Sequence, residues 1–312
     1  MGKLIAVWGS PDSGKTTFSV KLAEALYNRS RGKSAVIVVF TDIVTPTIPV
    51  IFPNFRSEDV FSVGTILTKP DFFADDVVSN MVMTKDRMNL GYLGYKDSEN
   101  KHSFPDYTEE KAKYLYDVLV GIADYVIVDC MSLPDSNFLT SVALEKAEQV
   151  IRLSTPDLKC LSFQMSQQKI FASHGYLREN DVAVMNIPRE EFNLAAADAR
   201  LHLGKIAFTV PYCSSLTEQY ENSIGYGENR AELGSSGRIP RISRCELGLL
   251  LCYRVRRLLW QSRHLRGQDL QENVSQRFYC RVSERRLLHH GRILRTRPRA
   301  LYGIFPQGRY YG

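Results

Sequence analysis

Short apolar runs alternate with longer amphipathic stretches along the first two-thirds of the chain. Runs rich in β-branched residues predict buried strands, and they cover residues 4–8, 35–40, 125–129, 149–153, 182–186 and 205–210. Helical spacing of apolar positions predicts helices over residues 15–29, 108–121, 137–146, 157–170 and 189–202. Strands that alternate with helices of this length indicate an α/β fold with a doubly wound, mostly parallel sheet and right-handed crossovers.

The pattern is less regular between the second strand and the helix at 108–121. Residues 45–56 are apolar and contain three prolines, which predicts an ordered loop rather than a helix or strand. Two short helices are predicted at 57–67 and 71–79, and two short strands at 81–83 and 90–93. A polar loop over 96–106 leads into the next helix.

A phosphate-binding motif lies between the first strand and the first helix. Gly9, four residues and then Gly14-Lys15-Thr16 fit the Walker A spacing in the strand-to-helix setting that this motif requires. The two glycines permit backbone dihedrals that let successive N–H groups converge on phosphate oxygens, and the helix N-terminus adds partial positive charge. The alternative is a Gly/Ser turn before an ordinary helix.

Each residue of the motif has an expected part in holding ATP. Lys15 reaches the β- and γ-phosphates, the Thr16 hydroxyl ligates Mg²⁺, and Thr17 lies near the α-phosphate. The loop residues between the two glycines complete the nucleotide-binding set, and they are Ser10, Pro11, Asp12 and Ser13. Because Pro11 lacks an N–H donor and Asp12 adds negative charge, we expect a modest affinity.

Polar residues close three of the predicted strands, at the edge where open α/β sheets bind ligands. Asp129 ends an apolar strand in the form of a Walker B acid, which holds Mg²⁺ through water and senses the γ-phosphate. Asp42 follows another predicted strand at this edge and is a second candidate site residue, although it could instead cap a turn before Pro46. Asn186 could bind a purine edge, and a simple turn role is the alternative.

Composition is consistent with one large α/β domain that buries a substantial core, since 44% of the 312 residues are hydrophobic. The six cysteines are scattered, with no Cys-x-x-Cys and no histidines at metal-ligand spacing, which favours reduced thiols. The N-terminus enters the first strand without a signal-peptide pattern, and no run of eighteen apolar residues occurs. We expect a cytoplasmic protein.

The charge changes sign along the chain and predicts two regions. Residues 1–227 carry 22 Lys+Arg and 28 Asp+Glu, a balance of −6, whereas residues 228–312 carry 18 and 6, a balance of +12. Lysine ends at Lys205, and all 18 basic residues of the later part are arginine. We therefore predict a P-loop domain over residues 1–224 and a separate Arg-rich region over residues 225–312.

Three interpretations of the Arg-rich region compete. It could bind nucleic acid through arginines and interspersed aromatic residues. Residues 247–265 could form a basic amphipathic helix on the inner face of an anionic membrane. The third interpretation is a poorly ordered product of a reading-frame change near residue 225, because a selected basic surface usually mixes lysine with arginine.

Residues 1 to about 223 resemble the MinD/ParA family of P-loop ATPases, including the pilus-assembly branch often called CpaE or TadZ. Four landmarks carry the resemblance in order, and they are the loop 9–17, Asp42, the strand 125–129, and residues 148–156, which are similar to the family's A-D-x-V-I-x-V-T-x-P stretch. Asn186 resembles the family's base-recognition Asn, and Val210-Pro211-Tyr212 resembles its adenine-flanking V-P-Y segment.

The resemblance implies a P-loop NTPase of SIMIBI-type architecture. It also implies that Lys15 and Thr16 bind phosphate and Mg²⁺, that Asp42 positions the attacking water, and that Asp129 is the switch II acid. Two positions depart from the family: Ser10 stands where the signature lysine is expected, and Phe40 where the first acid of the D-x-D switch is expected. We therefore expect slow hydrolysis.

These observations predict an ATP-binding, slowly hydrolysing switch that uses Mg²⁺ and positions a protein assembly in partitioning, pilus or conjugation machinery. A nucleotide-dependent homodimer is a further expectation from the resemblance. Two other functions stay open, namely a non-hydrolysing nucleotide-binding scaffold and a P-loop kinase acting on a small molecule. Against the kinase, the first 225 residues contain no evident Arg-rich lid for a second substrate.

Overall fold

An eight-stranded sheet forms the centre of the molecule in the computed structural model, which describes residues 2–52, 62–83, 87–176, 181–187, 189 and 206–213. The strands are β1 (Lys3–Gly9), β2 (Val36–Phe40), β3 (Val82–Met83), β4 (Leu90–Leu93), β5 (Tyr125–Asp129), β6 (Gln149–Ser154), β7 (Val182–Asn186) and β8 (Phe208–Val210). The described helices are α1 (Lys15–Arg29), α2 (Ile48–Ile51), α3 (Val63–Thr68), α4 (Ala74–Ser79), α5 (Glu109–Ile122), α6 (Phe138–Lys146) and α7 (Leu158–Ser173).

The strand order is β3-β4-β2-β5-β1-β6-β7-β8, and every neighbouring pair is parallel except β3 with β4. β1 lies between β5 and β6, with Val7 opposite Asp129 and Gly9 opposite Leu153. The crossover connections therefore lead in opposite directions on the two sides of β1. This reversal leaves a crevice at the carboxyl ends of the strands, where such sheets bind ligands.

The two faces of the sheet carry separate hydrophobic cores because side chains alternate along each strand. In β1, Leu4, Ala6 and Trp8 contribute to one core, and Ile5 and Val7 to the other. Helices α3 to α7 contribute to the first core, and α1 with α2 contributes to the second. Helices on both faces confirm the predicted doubly wound, mostly parallel α/β fold.

Capping side chains explain where three helices begin. Thr108 accepts a hydrogen bond from the Lys111 N–H at the start of α5, and Asn137 accepts one from Thr140 at the start of α6. Asp157 does the same for α7 through the Cys160 N–H. Each cap satisfies an N–H that has no partner within its helix, so these boundaries follow from local sequence.

The structure corrects two predicted segments. Residues 45–56 do not form a loop throughout, because α2 places Ile48 and Ile51 in the core with Pro49 in the first turn, where its missing N–H is tolerated. The last predicted strand, at 205–210, is observed over Phe208–Val210. The predicted helix at 189–202, apart from residue 189, and the Arg-rich region at 225–312 lie outside the described residues.

Within the part of the chain that the structure describes, no helix is long and apolar enough to cross a membrane.

Candidate functional site

The loop between β1 and α1 is shaped by two glycines. A Cβ at Gly9 would lie 2.1 Å from the Leu153 carbonyl oxygen, so only glycine permits the close approach of β1 to β6 at this point. Gly14 has a φ of 83° in the left-handed region, and a Cβ there would lie 2.7 Å from Nδ2 of Asn186. The Walker A glycines therefore have the backbone roles that the motif predicts.

The start of α1 directs backbone N–H groups and positive partial charge toward the loop. Its N-cap Gly14 supplies no side-chain hydrogen bond, and the first turn contains no acidic residue. Pro11 and Asp12 form the exposed tip of the loop, while Ser13 is buried and its Oγ donates to the Ser10 carbonyl at 2.8 Å. The N-terminal N–H groups and the helix dipole therefore favour negative charge at this end.

Lys15 extends across the loop and links it to the segment after β5. Its Nζ donates to the Ser10 carbonyl and to Oγ of Ser132, both at 2.8 Å. Burial lowers the pKa of the Lys15 ammonium, and the carboxylates of Asp129 and Asp42 oppose that effect. The ammonium thus lies in a mostly desolvated position where an anionic partner would interact strongly.

Thr16 and Asp129 meet directly at the edge of the sheet. Thr16 Oγ1 donates to Oδ2 of Asp129 at 2.6 Å, although 113 positions separate the two residues. Burial raises the pKa of Asp129 to about 6, while the bond from Thr16 and the charge of Lys15 act in the other direction. The pairing joins the phosphate-loop helix to the strand-end acid, as the two motifs predict.

These two side chains fit a magnesium site. Mg²⁺ prefers oxygen ligands and retains several waters, and here a hydroxyl and a carboxylate supply oxygens beside the phosphate loop. Oδ1 of Asp129 is buried and has no hydrogen-bond partner among the described residues. A hydrated cation would satisfy this oxygen and remove the cost of a buried, incompletely paired carboxylate.

Asp42 lies at the carboxyl end of β2 and, in this structure, caps a turn. Its Oδ1 accepts hydrogen bonds from the N–H groups of Val44 at 2.8 Å and Thr45 at 3.0 Å. The turn role and a catalytic role do not exclude each other, because the second carboxylate oxygen makes neither bond. The part of Asp42 in hydrolysis stays a prediction.

Asn186 at the end of β7 contacts the phosphate loop. Its Nδ2 donates to the Ser13 carbonyl at 3.0 Å, which fixes the distance between β7 and the loop. Pro211 and Tyr212 follow β8, whose Val210 lies opposite Asn186, and Tyr212 packs against the small core of Leu161, Met185 and Ile187. The three predicted base-binding residues, Asn186, Pro211 and Tyr212, therefore follow the ends of adjacent strands.

Ser10, where the resemblance leads us to expect a lysine, turns inward. It is buried, and its Oγ donates to Sγ of Cys160 at 3.0 Å; the same sulfur accepts the Thr155 N–H at 3.2 Å. At the second departure, Phe40 is fully buried and packs against Tyr92. Ser10 and Phe40 are therefore both buried in the interior of the domain.

Two groups of site residues were not anticipated from the sequence. Ser132 contacts Lys15. Its place three positions after Asp129 is the one feature of the sequence that could have indicated this contact. A buried hydroxyl pair, Thr41 and Thr140, joins the residue before Asp42 to the chain after Asp129. Cys160 is grouped with Ser132 because it also contacts the phosphate loop, through Ser10. Isolated serines, threonines and cysteines form no sequence pattern from which these contacts could be predicted.

No protein-family model matches the sequence, and no curated protein is significantly similar to it. Solved structures do match its fold. MinD from Pyrococcus horikoshii in complex with Mg-ADP is 18% identical, with 83% of this chain and 98% of that chain covered and a TM-score of 0.60. MinD in the MinC:MinD complex of Aquifex aeolicus is 15% identical, with 86% and 98% covered and a TM-score of 0.61.

A plasmid partition protein from Borrelia burgdorferi is 16% identical, with 72% of this chain and 96% of that chain covered and a TM-score of 0.52. The fold is therefore the mostly parallel α/β architecture of the MinD/ParA P-loop NTPases. At these identities, the comparisons establish the fold and leave the chemistry to be argued from the site.

Proposed function

We propose that this chain binds ATP with Mg²⁺ at residues 9–17 and acts as a slowly hydrolysing switch that positions or regulates a partner assembly. The observation that carries the proposal is the 2.6 Å bond between Thr16 and Asp129. It unites the two groups expected at a nucleotide-bound Mg²⁺ next to a buried lysine. A Gly/Ser turn before an ordinary helix would not require a buried acid at this point.

The residues of the site have separate parts in binding. The α1 N–H groups and Lys15 neutralise phosphate charge, while Thr16 and Asp129 would hold Mg²⁺. When bound, Mg²⁺ would supply additional positive charge at the β- and γ-phosphates. Asn186, Pro211 and Tyr212 would contact the base. Asp42 would position the attacking water through the carboxylate oxygen that does not cap the turn.

Slow turnover is supported by the geometry of Ser10. Its hydroxyl is buried against Cys160, so this position presents no cation to the phosphates of its own site or of a second subunit. The same observation supports the second candidate, a scaffold that binds nucleotide without turnover. Phosphate release measured with and without a partner distinguishes the two, because a scaffold shows no turnover in either condition.

A protein partner and a nucleotide-dependent homodimer are part of the proposal. One structural neighbour is a MinC:MinD complex and another is a plasmid partition protein, which supports a protein partner. A partitioning, pilus or conjugation system is proposed from the sequence resemblance. The cytoplasm is the proposed compartment, supported by the reduced thiols of Cys130 and Cys160.

Replacing Lys15 with alanine should weaken ATP binding roughly 100-fold or more, because it removes the mobile charge that donates to the phosphates. Isothermal titration calorimetry with MgATP measures the effect. Lys21→Ala is the matched control, since Lys21 lies on the same helix and pairs with Glu24 instead. Unchanged affinity in Lys15→Ala would mean that the loop is structural and that the proposed function is wrong.

A further inference from the structure

The side chain of Asn186 reaches the phosphate loop from the end of β7. Its Nδ2 donates to the Ser13 carbonyl at 3.0 Å, although 173 positions separate the two residues. The amide also lies directly against Gly14, since a Cβ on that glycine would be 2.7 Å from Nδ2 and 3.8 Å from Cγ of Asn186. Asn186 therefore contacts the loop at the peptide that joins Ser13 to Gly14, directly before α1.

The other contacts of the loop fix the position of Ser13 but not the plane of the peptide that follows it. The N–H and the Oγ of Ser13 both donate to the Ser10 carbonyl, at 3.3 Å and 2.8 Å. Gly14 has a φ of 83°, and a glycine adopts φ of either sign at little cost. The hydrogen bond from Asn186 therefore selects the direction in which the Ser13 carbonyl points.

This direction matters for an anion at the loop. The Ser13–Gly14 peptide is trans, so its N–H points opposite to its carbonyl. Asn186 draws the carbonyl oxygen toward β7, and the Gly14 N–H consequently points away from β7. Strand β5 lies on that other side of β1, where Lys15 Nζ bonds to Ser132. A reversed peptide would direct a carbonyl oxygen there in place of a donor, and its partial negative charge would repel phosphate.

We propose that Asn186 is a positioning residue for phosphate binding, because it holds the Ser13–Gly14 peptide with its N–H directed toward the anion. The inference rests on the proposed nucleotide binding and adds a part at the phosphate end of the ligand. It is compatible with a contact to the base, since Oδ1 of the same amide takes no part in the bond to Ser13.

The test compares two ligands on the full chain by calorimetry, namely MgATP and magnesium tripolyphosphate, which has no base. Asn186→Ala should weaken the binding of both ligands by a similar factor, roughly 3- to 10-fold, which corresponds to the loss of one hydrogen bond. Asn186→Asp keeps the shape but places a negatively charged acceptor beside the Ser13 carbonyl. It should therefore weaken both ligands more than Asn186→Ala does.

Asn89→Ala is the matched control. Nδ2 of Asn89 also donates to a backbone carbonyl, that of Gly32 at 2.8 Å, but Asn89 precedes β4 and so lies at the opposite end of the strands from the loop. The variant should lower the melting temperature about as much as Asn186→Ala and leave both affinities unchanged. Equal losses of affinity in the two variants would mean that a general loss of stability is responsible, and the inference would be wrong.

The two ligands also separate the possible failures. If Asn186→Ala weakens MgATP but not tripolyphosphate, Asn186 acts on the base alone and the inference is overturned. The same holds if the parent protein binds MgATP but not tripolyphosphate, because a loop arranged for phosphate should bind it without a base. If the parent protein binds neither ligand, the proposed function is wrong as well.

Discussion

At the scale of single residues, Asp129 determines how the site responds to pH. Its carboxyl is buried beside Thr16, and burial raises its pKa to about 6, with Lys15 opposing and Asp42 reinforcing the rise. An unfolded chain has an aspartate pKa near 4, so the folded protein holds this proton more strongly in the interval between the two values. The ionised form, which would ligate Mg²⁺ in the proposed site, is therefore the costly one.

We expect opposite effects of acidification on binding and on stability. As pH falls through about 6, Asp129 becomes protonated and Mg²⁺-dependent ATP binding should weaken. Over the same interval, the contribution of Asp129 to the free energy of unfolding should rise, because the folded state binds more protons than the unfolded one. Calorimetry of MgATP binding and thermal melts at about pH 5 and about pH 7.5 measure the two effects.

Asp129→Asn provides the comparison for this prediction. It removes the titrating carboxyl while keeping a similar shape, so the variant should bind MgATP weakly at both pH values. On acidification, the melting temperature of this variant should rise less, or fall more, than that of the parent protein. Equal pH responses of the two proteins would contradict the raised pKa of Asp129.

At the scale of elements, a buried network joins the ends of β2 and β5 to α6. Oγ1 of Thr41 contacts Oγ1 of Thr140 at 2.8 Å and accepts a hydrogen bond from the Met131 N–H at 2.9 Å. Nδ2 of Asn137 also donates to the Thr41 carbonyl at 2.9 Å. The residue before Asp42 and the segment after Asp129 are therefore attached to each other rather than free to move independently.

Thr41→Val should destabilise the fold by about 1–3 kcal/mol, because it keeps the shape but removes the donor to the Asp129 carbonyl and the shorter of two bonds made by the Met131 N–H, which keeps only Oγ1 of Thr140 at 3.3 Å. For a domain of this size, the melting temperature should fall by roughly 2–4 °C per kcal/mol. Thr45→Val is the control, since Thr45 lies in the same segment with an exposed side chain and should change little. Equal melting temperatures for the two variants would show that the network contributes no net stability.

At the scale of the whole molecule, the proposed nucleotide site is assembled from distant parts of the chain up to Tyr212. The contributing elements are α1 and the ends of β1, β2, β5, β7 and β8. The break in charge and in lysine content lies after these elements. The Arg-rich region at 225–312 is outside the described residues, so its role stays a prediction from the sequence.

Deleting residues 226–312 should leave the melting temperature and ATP affinity nearly unchanged, because every assigned site residue lies at or before Tyr212. Removing 18 arginines should also reduce salt-sensitive binding to nucleic acid. Thermal melts, calorimetry and a DNA-binding assay at two salt concentrations measure these effects. If the truncated protein is insoluble while the full chain is well folded, the region covers the sheet. Its removal would then cost a large part of the free energy of unfolding, which is ~5–15 kcal/mol for a typical domain.

Local features of the sequence were enough to predict the elements and the main motif. The β-branched runs at β1, β2 and β5, and the caps Thr108, Asn137 and Asp157, act over a few residues, so each can be recognised without the rest of the chain. Alternation of strands and helices then indicated the parallel sheet. The short helix α2 was missed because its stability comes from burying Ile48 and Ile51 rather than from local propensity.

Only the tertiary structure determined which side chains meet at the sheet edge. Lys15 and Ser132 are 117 positions apart, and Ser10 and Cys160 are 150 apart. Such pairs depend on the strand order around β1 and on the crossovers that bring separate loops to one edge. Hydrophobic periodicity specifies which face of an element is buried, but it contains no information about the residue that lies opposite, and that information arises only when the sheet is assembled.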